Sequence, residues 1–234
     1  MKAKETAGRE IVLDTETTGL DPEAGHRIVE VAGLEIFGYV PTGRHFRRYI
    51  NPERAMPTEA QSIHGLGDEF LAGQPVFEAI AGDFLEFIGD APLVIHNAGF
   101  DLKFLNAELT RCSRPRIARS RAIDTVALAR RRFPGAQVSL DALCKRFEID
   151  ASARTFHGAL LDCQLLAEVY LELRGGRQPG FDLNREARVV AEVTETGARP
   201  LRPPRSPRSH APSAEELAAH EALLATIKDP IWRQ

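Results

Sequence analysis

The stretch Arg9-Glu10-Ile11-Val12-Leu13-Asp14-Thr15-Glu16-Thr17-Thr18-Gly19-Leu20 decides how the rest of the chain is read. Ile11, Val12 and Leu13 form a short apolar run, the pattern of a buried strand. Asp14 and Glu16 follow, two residues apart. Alternate side chains of a strand share a face, so both carboxylates project the same way. Like charges side by side repel, and a cation between them relieves that cost. Thr17-Thr18-Gly19 then turns the chain away. The local chemistry is an oxygen-rich metal site at a strand end, suited to Mg2+ or Mn2+. Taken alone, so short a motif more often marks solvated turn acids, and its meaning rests on the downstream residues.

The 234 residues are 43% hydrophobic and 27% charged, enough for one good-sized domain and an appendage. The net charge of −3 excludes a broad basic footprint, so any nucleic-acid binding should come from a local site. Met1 to Gly8 is polar and lacks the apolar core of a signal peptide. No apolar run approaches the length of a membrane span, so no membrane partner is expected. Cys112, Cys144 and Cys163 are odd in number and show no paired spacing. That fits a reduced cytoplasmic compartment and not a zinc site.

Downstream, His26 to Phe37 reads as a second strand and Phe46 to Ile50 as a third, with Gly38 to Gly43 turn-rich between them. These predict an antiparallel meander. Thr58 to His64 is a short helix ending at Gly65. Phe77, Ile80, Ala81, Phe84, Leu85 and Ile88 recur at helical spacing. Leu93-Val94-Ile95 is a short buried strand, and Gly99 to Leu109 a helix. Arg111 to Arg121 is basic and irregular, and Ile123-Asp124-Thr125 another strand end. Val126 to Phe133 and Leu140 to Phe147 are two short helices, with Ser139 as N-cap of the second. Gly158 to Leu173 is a last long helix, stopped by Gly175-Gly176. A meander leading into alternating units predicts an α/β sheet flanked by helices.

Composition shifts after Gly176. Residues 177–212 are rich in Pro and Arg and read as an extended, solvated linker. Ser213 and Glu216 then form a capping box before a helix with Leu217, Leu223, Leu224 and Ile227 on one stripe, which Asp229-Pro230 ends ahead of Trp232. A single short helix cannot bury its own stripe, so residues 213–234 are expected to dock on a partner; folding back on the same chain is the alternative.

Four further features carry chemistry. His96-Asn97-Ala98-Gly99-Phe100-Asp101 places Asp101 in the first turn of a helix beside a strand end. His157 precedes the last long helix and Asp162 lies in its first turns. Asp124 follows Ile123, and His64 closes a short helix. Were His157 and Asp162 both helical, five residues would set them about 140° apart. His157 is therefore expected just before the helix, on a segment that can swing towards a bound water.

Asp14-x-Glu16, then Asn97-Ala98-x-Phe100-Asp101, then His157-x4-Asp162, in this order, resembles the DEDDh branch of the 3′–5′ exonuclease superfamily. The tyrosine branch is excluded, because the residue four before Asp162 is Gly158. Ile11 to Gly19, His64-Gly65, Asp68 to Leu71, Val94 to Ala98, Ser139 to Cys144 and His157 to Asp162 further resemble the proofreading subunits of bacterial replicative DNA polymerases. The strong resemblance spans Arg9 to Gly176, and the tail helix with Trp232 is also similar.

That resemblance implies a ribonuclease H-like fold, with three antiparallel and two parallel strands in one mixed five-stranded sheet, followed by a flexible C-terminal tail. It implies an exonuclease domain at 1–176 that uses two divalent cations, Mg2+ or Mn2+. Asp14, Glu16, Asp101 and Asp162 would be the ligands, with Asp14 bridging. Two such ions about 3.5–4 Å apart can activate a water and neutralise the phosphate and leaving oxygen. His157 would be the general base, which must be neutral to accept a proton, so activity should fall in acid. Glu59 and His64 would line the pocket of the 3′-terminal nucleotide. Thr15, Leu20, Asn97 and Phe100 would help grip it, and Asp14, Glu16 and Asp162 would also touch substrate. For His64 a helix-end cap is an even alternative, and Asp124 reads as a capping acid rather than a ligand.

The implied partners are DNA 3′ ends, the polymerase III alpha subunit through the tail, the sliding clamp through Gln178 to Leu183, and a small stabilising subunit. A plain linker is the alternative for Gln178 to Leu183. The protein would then sit in the cytoplasm, at the replisome on the nucleoid. Two competing functions stand beside this one. The first is a stand-alone nuclease acting on RNA or single-stranded DNA ends, against which the tail argues. The second is a non-catalytic adaptor, which has no physical need for a self-repelling cluster of acids.

Overall fold

The structure, a computed structural model, describes residues 8–152, 156–176 and 212–227. The Gln178 to Leu183 peptide, most of the linker, Asp229-Pro230 and Trp232 lie outside the described residues. The chain divides into two compact units, Met1–Gly180 and Phe181–Gln234.

In the first unit β1 (Arg9–Thr17), β2 (Ile28–Phe37), β3 (Val40–Tyr49), β4 (Leu93–Ile95) and β5 (Ala122–Asp124) form one sheet in the order β3-β2-β1-β4-β5. β1, β2 and β3 pair antiparallel, while β4 runs parallel to β1 and β5 parallel to β4. This is the expected mixed sheet. β3 begins earlier than the sequence pattern suggests, at Val40, because the turn needs only Gly38 and Tyr39. Both have positive φ (57° and 70°). A two-residue turn of that hand matches the twist of the strands it joins.

Strand alternation sorts the side chains onto two faces. Ile11 and Leu13 join a core with α3 (Phe77–Ile88) and α4 (Ala98–Arg111). Val12 points the other way, into a core with α5 (Thr125–Arg132), α6 (Leu140–Arg146) and α7 (Ala159–Leu173). Asp14 and Glu16 continue the Val12 parity, facing α7, and Thr15 continues the Leu13 parity, facing α4. β1 is thus the seam between two helical layers, and its end is where they meet.

Two short helices, α1 (Thr58–His64) and α2 (Asp68–Ala72), pack with Val29 in a smaller cluster. The sequence pattern shows no helix at α2, because five residues contain no second turn to reveal a period. α4 is anchored by a buried ion pair. Glu108, 1% exposed, receives Arg27 Nε at 2.7 Å and Nη2 at 2.9 Å. That tie holds the helix carrying Asp101 against the start of β2. No helix among the described residues is long and apolar enough to cross a membrane.

In the second unit Ser213 caps α8 (Ala214–Thr226), and Glu216 returns the bond to the Ser213 backbone, so the expected capping box is present.

Candidate active site

The four acids reach the end of β1 by three routes. Asp14 and Glu16 come from β1 itself. Asp101 comes from the first turn of α4, where Asn97 starts the helix in a left-handed conformation (φ 68°) that asparagine tolerates. Asp162 comes from the first turn of α7. The two helices lie on opposite faces of the sheet, so both layers contribute a carboxylate. Thr15 joins them, donating from Oγ1 to Asp101 Oδ1 at 2.8 Å.

The acids are in like-charged surroundings. Asp101 and Asp162 are 2% and 5% exposed. Burial drives the Asp14 carboxyl well above the usual range, and Asp101, Glu16, Asp162 and Glu30 push it further. Burial also raises Asp101, against the opposing hydrogen bonds from Thr15 and the backbone, to about 7. Burial, with Asp14, Asp162, Asp101 and Glu30, raises the Cys163 thiol, which is inert packing on α7.

His157 lies just before α7, as expected from the spacing. Its Nδ1 is 3.4 Å from Asp162 Oδ2. A backbone bond from His157 N–H to the Ile63 carbonyl (3.1 Å) ties this segment to α1. One ligand atom each from Glu16, His157 and Asp162 falls within 4.8 Å of the others. Carboxylate oxygens and an imidazole nitrogen, self-repelling and mostly buried, are a donor set that fits a hard divalent cation.

Two cavities flank this cluster. One, about 540 Å³, is lined by Thr15, Glu16, Leu20, His26, Ile63 and His64 among others, with Glu59 and Phe100 also on its wall. Its surface is largely apolar, and Leu20 and Ile63 stand 84% and 52% exposed there. His64 stands at a helix end and on a cavity wall. It ends α1, and its Nδ1 accepts the Leu66 N–H at 3.1 Å while the ring lines the cavity. The proton therefore sits on Nε2, which is buried without a well-formed hydrogen bond. Burial lowers the His64 pKa, so the ring is neutral near pH 7; the Thr17 backbone acts weakly the other way. Gly19 is required here. A Cβ would fall 2.3 Å from the His26 ring, which Thr18 Oγ1 holds through Nδ1 at 3.1 Å.

The other cavity, about 560 Å³, is the more polar of the two, its wall mixing charged with apolar side chains. Asp14, Asp124, Asp141, Asp162, His157 and Arg130 are on its wall, and so is Asn97. Asn97 is therefore apart from the residues grouped with it in the sequence, which line the apolar cavity. Asp124 caps α5, accepting the Val126 N–H at 2.9 Å, in keeping with a capping role. His26 and Ile63 are cavity residues that sequence reasoning did not single out for a site. They carry no motif and reach the walls only through tertiary folding.

The sequence profile of the RNase_T family, described as exonuclease, matches residues 11–170. The DNA polymerase III subunit epsilon of Rickettsia felis is 51% identical over 230 residues, covering 94% of this chain and 96% of that protein. The Escherichia coli protein of the same name is 42% identical over 238 residues, covering 96% and 97%. This chain belongs to the DNA polymerase III epsilon-subunit family. Its activity is that of the family, a proofreading 3′–5′ exonuclease. The family works with divalent metal ions.

Solved exonuclease structures share the fold of this chain. Exonuclease X, in complex with 5′-overhanging duplex DNA, superposes with a TM-score of 0.54 at 26% identity, covering 70% of this chain and 90% of that one. The nuclease domain of 3′hExo, a DEDDh family member bound to rAMP, gives 0.62 at 18% identity, covering 74% and 95%.

Proposed function

We propose that this chain acts within DNA polymerase III, hydrolysing the last phosphodiester bond of a mispaired DNA strand at the Asp14, Glu16, Asp101 and Asp162 cluster. The observation that carries the reading is the position of that cluster between an apolar cavity and a polar one. A strand whose terminal base enters the apolar cavity and whose preceding nucleotide lies in the polar one presents its scissile phosphate to the acids.

Asp14, Glu16, Asp101 and Asp162 would hold two divalent cations, Mg2+ or Mn2+. When bound, these supply an ionised water and neutralise charge on the phosphate and leaving oxygen. The side chains do the rest. Leu20, Ile63 and Phe100 cover the terminal base by apolar burial, and the neutral His64 ring completes the wall beside them. With Nδ1 of His157 turned to Asp162, Nε2 is the nitrogen that takes the proton of the attacking water. The leaving 3′ oxygen stays on the strand, and the product is a nucleoside 5′-monophosphate. A mismatched end enters most readily because less pairing has to be broken to bring it into the cavity.

We assign the catalytic unit to residues 1–176, linkage to 177–212 and docking on the polymerase to 213–234. α8 supports the last assignment, since its capping box is local to Ser213 and Glu216 and, although Leu224 is buried, Leu217, Leu223 and Ile227 remain 51%, 59% and 40% exposed. The clamp peptide at Gln178 to Leu183 and a small stabilising subunit are carried by family likeness alone.

The test is cleavage of a 3′-labelled mispaired primer–template in Mg2+ and in EDTA, with a matching RNA strand in parallel. Metal-dependent release of mononucleotides from DNA supports the reading. Preference for RNA would replace it with the stand-alone nuclease, and no cleavage of either strand with the adaptor.

A further inference from the structure

Glu30 is a buried acid for which the mechanism above has no use. It is 1% exposed and stands directly opposite Glu16 in the β1–β2 ladder, on the α7 face. A carboxylate placed there adds to the repulsion among the acids, so something must compensate for it. Its two oxygens have separate partners. Oε1 receives Arg47 Nε from β3 at 2.7 Å, and Oε2 receives the backbone N–H of Ala159 at 3.3 Å. Arg47 in turn donates to the Tyr49 hydroxyl and lies over the Tyr49 ring, 4.8 Å from its centroid.

Ala159 is the first residue of α7, and the residue before it is Gly158, which has no side chain to cap the helix. The first N–H groups of a helix have no partner within it. Here the acceptor comes from a strand 129 residues away in sequence. The negative charge also lies at the positive end of the helix. Two residues before Ala159 is His157 and three after it is Asp162, so whatever fixes Ala159 fixes both.

We propose that Glu30, held in place by Arg47, is the positioning residue of the reaction. It serves as the missing cap of α7 and so sets His157 and Asp162 against Glu16. The inference rests on the reading of His157 and the four acids given above. It assigns no metal ligation or proton transfer to Glu30 itself. Its effect is expected in turnover, because the Glu30 carboxylate bonds Arg47 and Ala159 rather than a residue on the wall of the apolar cavity that grips the terminal nucleotide.

The experiment uses the full chain with Glu30→Ala, Arg47→Met and the double variant Glu30→Gln/Arg47→Met, whose amide oxygen can accept from Ala159 without facing a guanidinium. Two readouts are taken well below the melting temperature. One is amide hydrogen exchange at Ala159 in the metal-free protein. The other is kcat and KM on single-stranded DNA. Glu30→Ala is expected to speed exchange at Ala159 and lower kcat about tenfold or more, with KM within about twofold of the parent. The double variant is expected to restore most of the exchange protection and kcat relative to Glu30→Ala. Unchanged exchange at Ala159 overturns the proposal whatever the activity. So does altered exchange with an unchanged kcat, which would make Glu30 a stabilising residue only. His157→Gln, run alongside, tests the underlying reading separately. If it cleaves like the parent, the base assignment fails, while the exchange result still judges the cap.

Discussion

The two cavities that flank the acid cluster ask opposite things of a ligand. The apolar one is walled by Leu20, Ile63, Phe100 and a neutral His64, and offers surface burial with a few directed polar atoms. Such binding gains free energy from excluded water and depends little on salt. The polar one sets four carboxylates against Arg130, so an anionic strand is admitted only when counter-charge accompanies it. The difference separates recognition from chemistry. One side decides how firmly the end is held, and the other decides whether it is cut.

The separation can be broken most directly at Asp14. Asp14→Ala is expected to lower kcat by about a thousandfold or more by dissolving the shared edge of the cluster. The variant should stay folded, and in pull-down assays its tail should still bind the polymerase. Loss of both together would contradict the division between catalytic unit and tail. His157→Gln is expected to cost about a hundredfold in kcat with KM little changed, read by single-turnover cleavage.

Protons sharpen the contrast from the side of stability. Asp14 and Asp101 have folded pKa values above their unfolded ones, Asp101 at about 7. The folded state therefore holds more protons than the unfolded state between about pH 4 and pH 7. Their stabilisation is complete below the unfolded pKa and is lost as pH rises through the folded one. The metal-free protein should melt several degrees lower at pH 8 than at pH 5, as read by calorimetry. Added Mn2+ should recover more at pH 8, where the acids are ionised. A melting temperature flat across this range would show that the acids do not burden the metal-free fold.

Smaller effects distinguish the cavities from each other. Ile63→Ala is expected to raise KM about tenfold and leave kcat alone, since apolar cover is removed from one side of the base. Arg130→Ala should raise KM about threefold and flatten the dependence of KM on salt, as expected for one lost phosphate contact. If Ile63→Ala changes the salt dependence instead, the roles of the two cavities are reversed.

Much of the frame is legible in the sequence because it obeys local rules. The Ile11 to Glu16 alternation, the Phe77 to Ile88 period and the Ser139 and Ser213 caps all reappear in the structure. The ordered motifs around Asp101 and Asp162 point to the cluster without any knowledge of contacts. The hidden parts depend on distance in sequence. α2 is too short to show a period. Tyr39 gives no sign that it will take a positive φ. Glu30 reads as an ordinary polar residue between Val29 and Val31, and only the β1–β2 register and the arrival of Ala159 give it a purpose. Asn97 carries the right motif, yet the turn that starts α4 delivers it to the polar side.

The direct opposition of Glu16 and Glu30 across one ladder rung has a bearing on heredity. Exchange of Glu16 for a neutral residue of similar size would remove one source of like-charge repulsion from the metal-free fold. Selection for a sturdier protein alone would therefore drift towards a fold that no longer cuts. The rung persists only where copying errors are themselves penalised, so its integrity in a lineage is a record of how strongly accuracy has been demanded there.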